Sequence, residues 1–209
     1  MPAPRFEDIA KFGVSRESLE RLVILEKLLL TWQAHINLIS PATIPDLWNR
    51  HIIDSLQILP LIPTNTKAIA DLGSGGGFPG LVLAAVQDAE VHFYESNAKK
   101  TAFLQEALRH MKIKGSVHRQ RLESRQVPPN MPDVQIITAR AFAPLPLLLG
   151  LAEPFMRGGA TALFHKGQEC HNEISEAAKT WKISARKHSS VTDSQSVILE
   201  IKEIAYVKS

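Results

Sequence analysis

The chain has 209 residues and is 44% hydrophobic, enough to build one sizeable core. A net charge of +3 does not by itself announce a nucleic-acid binder, and the single cysteine, Cys170, excludes an internal disulfide and suits a reducing cytoplasm. No apolar run approaches the length of a bilayer span, and residues 1–8 lack the apolar core of a signal peptide.

Residues 1–64 read as a helical extension. Ser15 is a candidate N-cap. Leu19, Leu22, Val23, Leu29 and Leu30 recur at roughly 3.6-residue spacing, broken only by Glu26, and predict an amphipathic helix to about Ile36. Asn37-Leu38-Ile39-Ser40-Pro41 stops it. A second helix is predicted from about Ile44 to Leu59, ended by Pro60 and Pro63. It carries Arg50-His51-Ile52-Ile53-Asp54-Ser55-Leu56, where i,i+4 spacing sets Arg50 against Asp54 and His51 against Ser55. Ser, His and Asp together suggest a hydrolase, but no G-x-S-x-G elbow surrounds Ser55. Two readings remain. Either Arg50 and Asp54 pair on a structural face, or this face roofs a ligand site and offers Arg50 and His51 to a substrate.

The most informative stretch follows. Ala68 to Leu72 reads as a strand, Gly73-Ser74-Gly75-Gly76-Gly77-Phe78 as a glycine-rich loop, and Pro79 as the first position of a helix. Gly75-x-Gly77-x-x-Gly80 fits the dinucleotide spacing. Asp71, however, sits at the strand tip, where a carboxylate repels a pyrophosphate and attracts an ammonium or sulfonium. The pattern Asp-Leu-Gly-Ser-Gly-x-Gly resembles the first motif of S-adenosylmethionine-dependent methyltransferases, in which the loop packs on the cofactor's methionine and the tip acid holds its ammonium. A second strand ends at Glu95, about 20 residues on, placed to meet ribose hydroxyls.

From residue 65 to 209 strands and helices alternate as one compact unit. Strands are predicted near 68–72, 90–95, 115–118, 133–139, 159–165, 181–188 and 196–204, and helices near 79–87, 98–111, 123–127, 144–156 and 168–179. The alternation predicts an α/β, Rossmann-like fold with a mostly parallel seven-stranded sheet. The last two strands, joined by the polar turn Ser189 to Ser194, form a terminal antiparallel hairpin. This is the arrangement of class I methyltransferases.

Between Asn97 and Val127 eight Lys/Arg, among them Lys99 and Lys100, face only Glu106 and Glu123. Such an edge is either a solvated helix face or a surface for RNA phosphates. After the fourth strand comes Thr138-Ala139-Arg140-Ala141-Phe142-Ala143-Pro144, at the sheet edge where ligands sit. It lacks the Asn/Asp-Pro-Pro-Tyr/Phe of amine methylation, and the cysteine follows Glu169 rather than proline, which excludes a pyrimidine C5 nucleophile. Arg140 is either paired structurally or suited to guanine or phosphate. Arg121-Leu122-Glu123 follows the third strand, either as a plain helix start or along an adenine pocket. His165-Lys166-Gly167 brings another cation to the same edge. His165, Cys170 and His171 make a weak metal set, and no metal is expected.

Asn37-Leu38-Ile39-Ser40, Arg50 to Leu56, Asp71 to Gly80, Glu95-Ser96, Lys99-Lys100, Phe103-Leu104, Arg140-Ala141-Phe142-Ala143 and Lys166-Gly167 occur in this order. Together they resemble the bacterial 16S ribosomal RNA guanine-N7 methyltransferase family, also called glucose-inhibited division protein B. The resemblance runs from about residue 20 to the end. It implies S-adenosylmethionine as cofactor and methylation of a guanine N7 in the 530 loop of 16S rRNA. It carries cofactor contacts onto Gly73, Phe78, Leu122, Glu123 and Arg140, beside Asp71, Gly75 and Glu95. Arg140 and Lys166 are expected to orient the guanine, with Arg50, His51, Lys99 and Lys100 on the RNA side. The implied partner is 16S rRNA, the 30S subunit or an assembly intermediate, met in the cytoplasm by a monomer without membrane contact. The alternatives are a methyltransferase for a small molecule or protein, an inactive cofactor-binding module, and an NAD-dependent enzyme.

Overall fold

The structure is a computed structural model, and it describes residues 9–207. Residues 1–8 of the expected N-terminal extension lie outside the described residues.

Short apolar runs ending in turn residues give seven strands: β1 (Ala68–Leu72), β2 (Glu90–Glu95), β3 (Gly115–Arg119), β4 (Ile136–Arg140), β5 (Thr161–Lys166), β6 (Trp181–Ser189) and β7 (Val197–Tyr206). They form one sheet in the order β3-β2-β1-β4-β5-β7-β6. The first five are parallel, and β7 runs antiparallel between β5 and β6. The order reverses beside β1, so the carboxyl tips of β1 and β4 diverge there and leave room for a ligand. The expected hairpin forms the sheet's end.

Helices cover both faces. α1 (Arg16–Gln33) is capped by Ser15, whose Oγ accepts from the Ser18 N–H at 3.1 Å. α1, α2 (Gly80–Val86) and α3 (Ala98–Met111) bury Leu22, Leu25, Leu29, Leu81, Phe103 and Leu104 against one face. α4 (Leu145–Met156) and α5 (Cys170–Ala177) bury Leu148, Leu149 and Phe155 on the other.

Three expectations are corrected. α1 stops at Gln33 rather than Ile36. There the Gln33 side chain holds the next loop, its Oε1 accepting from Leu38 N–H and Ile39 N–H at 2.9 and 3.0 Å. The single helix expected at 44–59 is broken into a 3-10 turn Pro41–Asp46, a π-helical turn Trp48–Ile53, a short α turn Asp54–Leu56 and a 3-10 turn Leu59–Leu61. Pro45 and Pro60 remove the donors that a continuous helix needs. The helix expected at 123–127 is a turn. Arg125 stands at φ +61°, outside the helical region, and its N–H donates to Gly150 O at 2.6 Å instead.

Candidate functional site

Asp71 and Thr138 are cross-strand neighbours on β1 and β4. Thr138 Oγ1 donates to Asp71 Oδ1 at 2.6 Å, while Oδ2 is buried with no hydrogen-bond partner. Burial pushes this carboxyl up to about 6, against the pull of the Thr138 hydrogen bond and the Arg140 charge. Above it the chain turns through Gly73 and Gly75 at φ +64° and +54°, which L side chains rarely adopt. Gly76 is glycine for another reason. A β-carbon there would stand 2.7 Å from the Leu38 carbonyl oxygen, so the loop held by Gln33 packs directly on the glycine turn. Glu95, at the tip of β2, accepts from Gly75 N–H through Oε2 at 2.9 Å and from Asn97 N–H through Oε1 at 2.7 Å.

The roof is the irregular segment Trp48–Leu56. Its π-helical turn shifts side chains out of i,i+4 register. Arg50 therefore pairs with Asp193 of the β6–β7 turn at 3.3 Å, not with Asp54. Ser55 Oγ donates to the His51 backbone carbonyl rather than meeting its ring. Arg140 and His165, paired across β4 and β5, grip this segment from below. Arg140 Nη1 donates to Asp54 Oδ2 and to Arg50 O, both at 2.9 Å, and His165 Nε2 donates to Asp54 O at 2.8 Å. Asp54 Oδ1 accepts from Gln57 Nε2 and Thr192 Oγ1.

Arg140 Nη2 also contacts His51 Nδ1 at 2.5 Å. A guanidinium can only donate, so Nδ1 accepts and the ring proton resides on Nε2. Nε2–H then donates to Thr43 Oγ1 at 2.7 Å, whose hydroxyl donates to Ser40 O at 2.8 Å. Burial, reinforced by the Arg140 charge, holds the His51 imidazole down to about 3. The His51 ring packs on Phe78 with centroids 5.0 Å apart, and the Arg140 guanidinium lies 5.3 Å from the centroid of the same ring.

Lys166 is buried. Its Nζ donates to Glu173 Oε2 at 2.5 Å and to Ala143 O at 3.1 Å, and Glu173 Oε2 also accepts from Leu145 N–H. The ammonium expected to face RNA thus ties the segment after β4 to α5.

These elements enclose a cleft of about 940 Å³. Gly73, Gly75, Phe78, Glu95, Arg50, His51, Lys100, Arg140 and Lys166 all stand on its wall. Asp71 lies beneath the glycine loop, 1% exposed, and Lys99 faces a separate apolar groove with Trp32 and His35. Leu122 packs on the α4 side of the sheet, and neither it nor Glu123 reaches the cleft wall. Thr43, Phe142, Glu173, Thr192 and Asp193 join the site without having been singled out. Only Phe142 carried a signal in the sequence, an aromatic between two alanines just past a ligand-bearing strand tip. Among the described residues, no group of His, Cys, Asp or Glu is arranged to hold a metal ion.

The cleft lies at the upper end of the roughly 300–1,000 Å³ typical of small-molecule sites, with room for a nucleoside cofactor and a second planar group. The positive-φ glycine backbone and the Glu95 carboxylate suit a ligand that carries hydroxyls, and the Asp71 carboxylate buried behind the loop favours positive charge there.

Sheet order, reversed β7 and glycine loop define a class I S-adenosylmethionine-dependent methyltransferase. A crystal structure of an S-adenosylmethionine-dependent methyltransferase from Aquifex aeolicus shares the fold, with a TM-score of 0.54 at 14% identity over 79% of this chain and 100% of that one. Residues 18–201 match the family model described as rRNA small subunit methyltransferase G, and the chain belongs to that family. It is 46% identical to the ribosomal RNA small subunit methyltransferase G of Paramagnetospirillum magneticum, covering 95% of both chains. It is 44% identical to that of Chelativorans sp., covering 98% of this chain and 99% of the relative.

Proposed function

We propose that the chain transfers a methyl group from S-adenosylmethionine to N7 of a guanine in the 530 loop of 16S rRNA. It acts as a cytoplasmic monomer on the 30S subunit or an intermediate in its assembly. One observation carries the choice of atom. Every carboxylate and imidazole on the cleft wall already has a protein partner: His51 has Arg140, Asp54 has Arg140 and Thr192, Glu95 has the loop N–H groups, His165 has Asp54 O, Glu173 has Lys166 and Asp193 has Arg50. One lone pair is left over, that of His165 Nδ1, and it is buried without a partner, so no unpaired base reaches the cleft surface. Guanine N7 needs none, because it carries an in-plane lone pair and no proton.

When bound, the cofactor supplies an electrophilic methyl carbon on a sulfonium. The backbone of Gly73 to Gly77 and the Glu95 carboxylate hold it, with the Asp71 charge beneath the loop adding attraction. Leu122 and Glu123, off the cleft wall here, are given the adenine end on the family resemblance alone. Arg140, fixed by Asp54, His51 and Arg50 O, sets the edge against which the guanine lies, and catalysis is by orientation. Lys166 acts through the segment it anchors. Lys100 stands on the cleft wall and makes no ion pair among the described residues, so it is the cation available to an RNA phosphate, with Lys99 beside it.

Methyl transfer from radiolabelled S-adenosylmethionine to 30S subunits and to naked 16S rRNA, both from cells lacking this activity, tests the reading. Labelled RNA is expected, with affinity falling as salt rises because phosphate contacts release counterions. Label on a protein or small molecule and none on RNA would overturn the substrate. An Arg140→Ala enzyme with unchanged cofactor affinity and turnover would remove Arg140 from its role.

A further inference from the structure

Phe142 is an apolar ring that lies outside both hydrophobic core clusters. It is 40% exposed on the wall of a polar cleft. Its Cδ2 and Cγ lie 2.1 and 2.2 Å from the point where a β-carbon on Gly73 would stand, so the ring fills the space that glycine leaves open. It covers the surface that the proposed function gives to the cofactor.

The chain on either side is pinned. Arg140 is held by Asp54, Arg50 O and His51, and Ala143 O is held by Lys166. Between these posts Ala141 adopts φ +49°. That conformation is unfavourable for an L-residue with a β-carbon, and glycine would adopt it freely. The exposed aromatic therefore hangs on a strained residue between two fixed posts.

We propose that Phe142 is a movable stacking platform. Seated on Gly73 it closes the glycine loop. Cofactor binding displaces it into the cleft mouth beside Arg140, where its face stacks on the target guanine. The geometry favours a flat aromatic partner because the displaced ring would stand next to the Arg140 guanidinium, which lies 5.3 Å from the Phe78 ring centroid, and a purine face suits both an aromatic ring and a guanidinium. The Arg140 edge then fixes its rotation. The inference rests on the proposed methyl transfer to RNA guanine. It adds an order of events, because the cofactor that displaces the ring also presents it to the RNA.

The experiment compares wild type with Phe142→Ala, Phe142→Tyr and Phe142→Leu. Cofactor affinity is read by calorimetry without RNA, and kcat and KM are read on 30S subunits. Phe142→Ala should bind cofactor at least as tightly as wild type, since no ring must be displaced. Its kcat/KM for RNA should fall about five- to 150-fold, the equivalent of the ~1–3 kcal/mol of base–aromatic stacking. Tyr should restore the rate and Leu should not. Cofactor affinity falling in step with activity, or Leu restoring as well as Tyr, would overturn the proposal and leave the ring as an apolar wall. The wild-type arm separates the two claims. No label on RNA from the unsubstituted protein defeats the substrate reading and this proposal with it, whereas labelling that survives Phe142→Ala at full rate defeats this proposal alone.

Discussion

His51→Asn tests whether the roof depends on a neutral imidazole. Asn keeps an acceptor for Arg140 and a donor for Thr43 but cannot titrate. The His51 pKa is held down to about 3 by burial first and the Arg140 charge second, against an ordinary value of 6.5. An unfolded chain takes up this proton below about pH 6.5 and the folded protein does not. The contribution is therefore fully present above pH 6.5 and is lost as pH falls toward 3. Between about pH 7 and about pH 5 the linkage amounts to about 2 kcal/mol. His165, lowered by burial, acts in the same direction. Asp71, raised to about 6, acts in the opposite one: its folded form binds a proton first, so its contribution grows as pH falls through 6 toward 3.8. Both are present in the variant and cancel in the comparison. Urea unfolding of the two proteins at each pH is the assay. Wild type should lose about 2 kcal/mol more than His51→Asn over this interval. Parallel losses, equal to within about 0.5 kcal/mol, would refute the neutral, buried ring.

Asp54→Asn removes the partner of the mostly buried Arg140 guanidinium, paired at 2.9 Å, and should cost about 1.5–3 kcal/mol by urea unfolding. Adding Arg140→Met should cost less than the sum of the single changes, and strict additivity would argue against the pair. Gly76→Ala drives a β-carbon to 2.7 Å from the Leu38 carbonyl oxygen, a backbone atom that cannot swing away. It should destabilise by about 1–3 kcal/mol, and a neutral result would show that the Leu38 loop is not seated on the turn. Lys166→Met should free Ala143 O, seen as faster amide exchange over residues 141–145 and a fall in kcat larger than any change in cofactor affinity. Unchanged exchange there would argue that Lys166 does not anchor this segment.

What the sequence made legible was local. The β1 strand, the glycine loop and α2 were readable because each depends on neighbouring residues: apolar runs, φ preferences and a proline. The terminal hairpin was readable from the missing helix between its strands. Irregular helices were not. The segment 41–61 has helical apolar spacing, but Pro45 and Pro60 interrupt it, and its π-helical turn is seen only where Arg140 grips His51 and Asp54. That spacing left Arg50 either paired with Asp54 or offered to a substrate from the roof. The fold instead delivers Asp193 to Arg50 and Arg140 to Asp54, across 143 and 86 residues of chain. Lys166 looked like a free cation because Glu173, which neutralises it, becomes its neighbour only when α5 packs beside β5. Phe142 reads in sequence only as an aromatic just past a strand tip. Its position on Gly73 and the strained backbone at Ala141 exist only in three dimensions.

The measurement that bears most directly on the central claim is the position of the methyl group on the RNA. Methylation at N7 places a positive charge on the purine and makes the glycosidic bond labile, so borohydride reduction followed by aniline cleaves the strand at that nucleotide. 16S rRNA treated with this protein and S-adenosylmethionine should break at one guanine in the 530 loop, and untreated RNA should not. RNA that takes up label without any cleavage would place the methyl group on another atom. It would contradict the argument from a cleft without a free base.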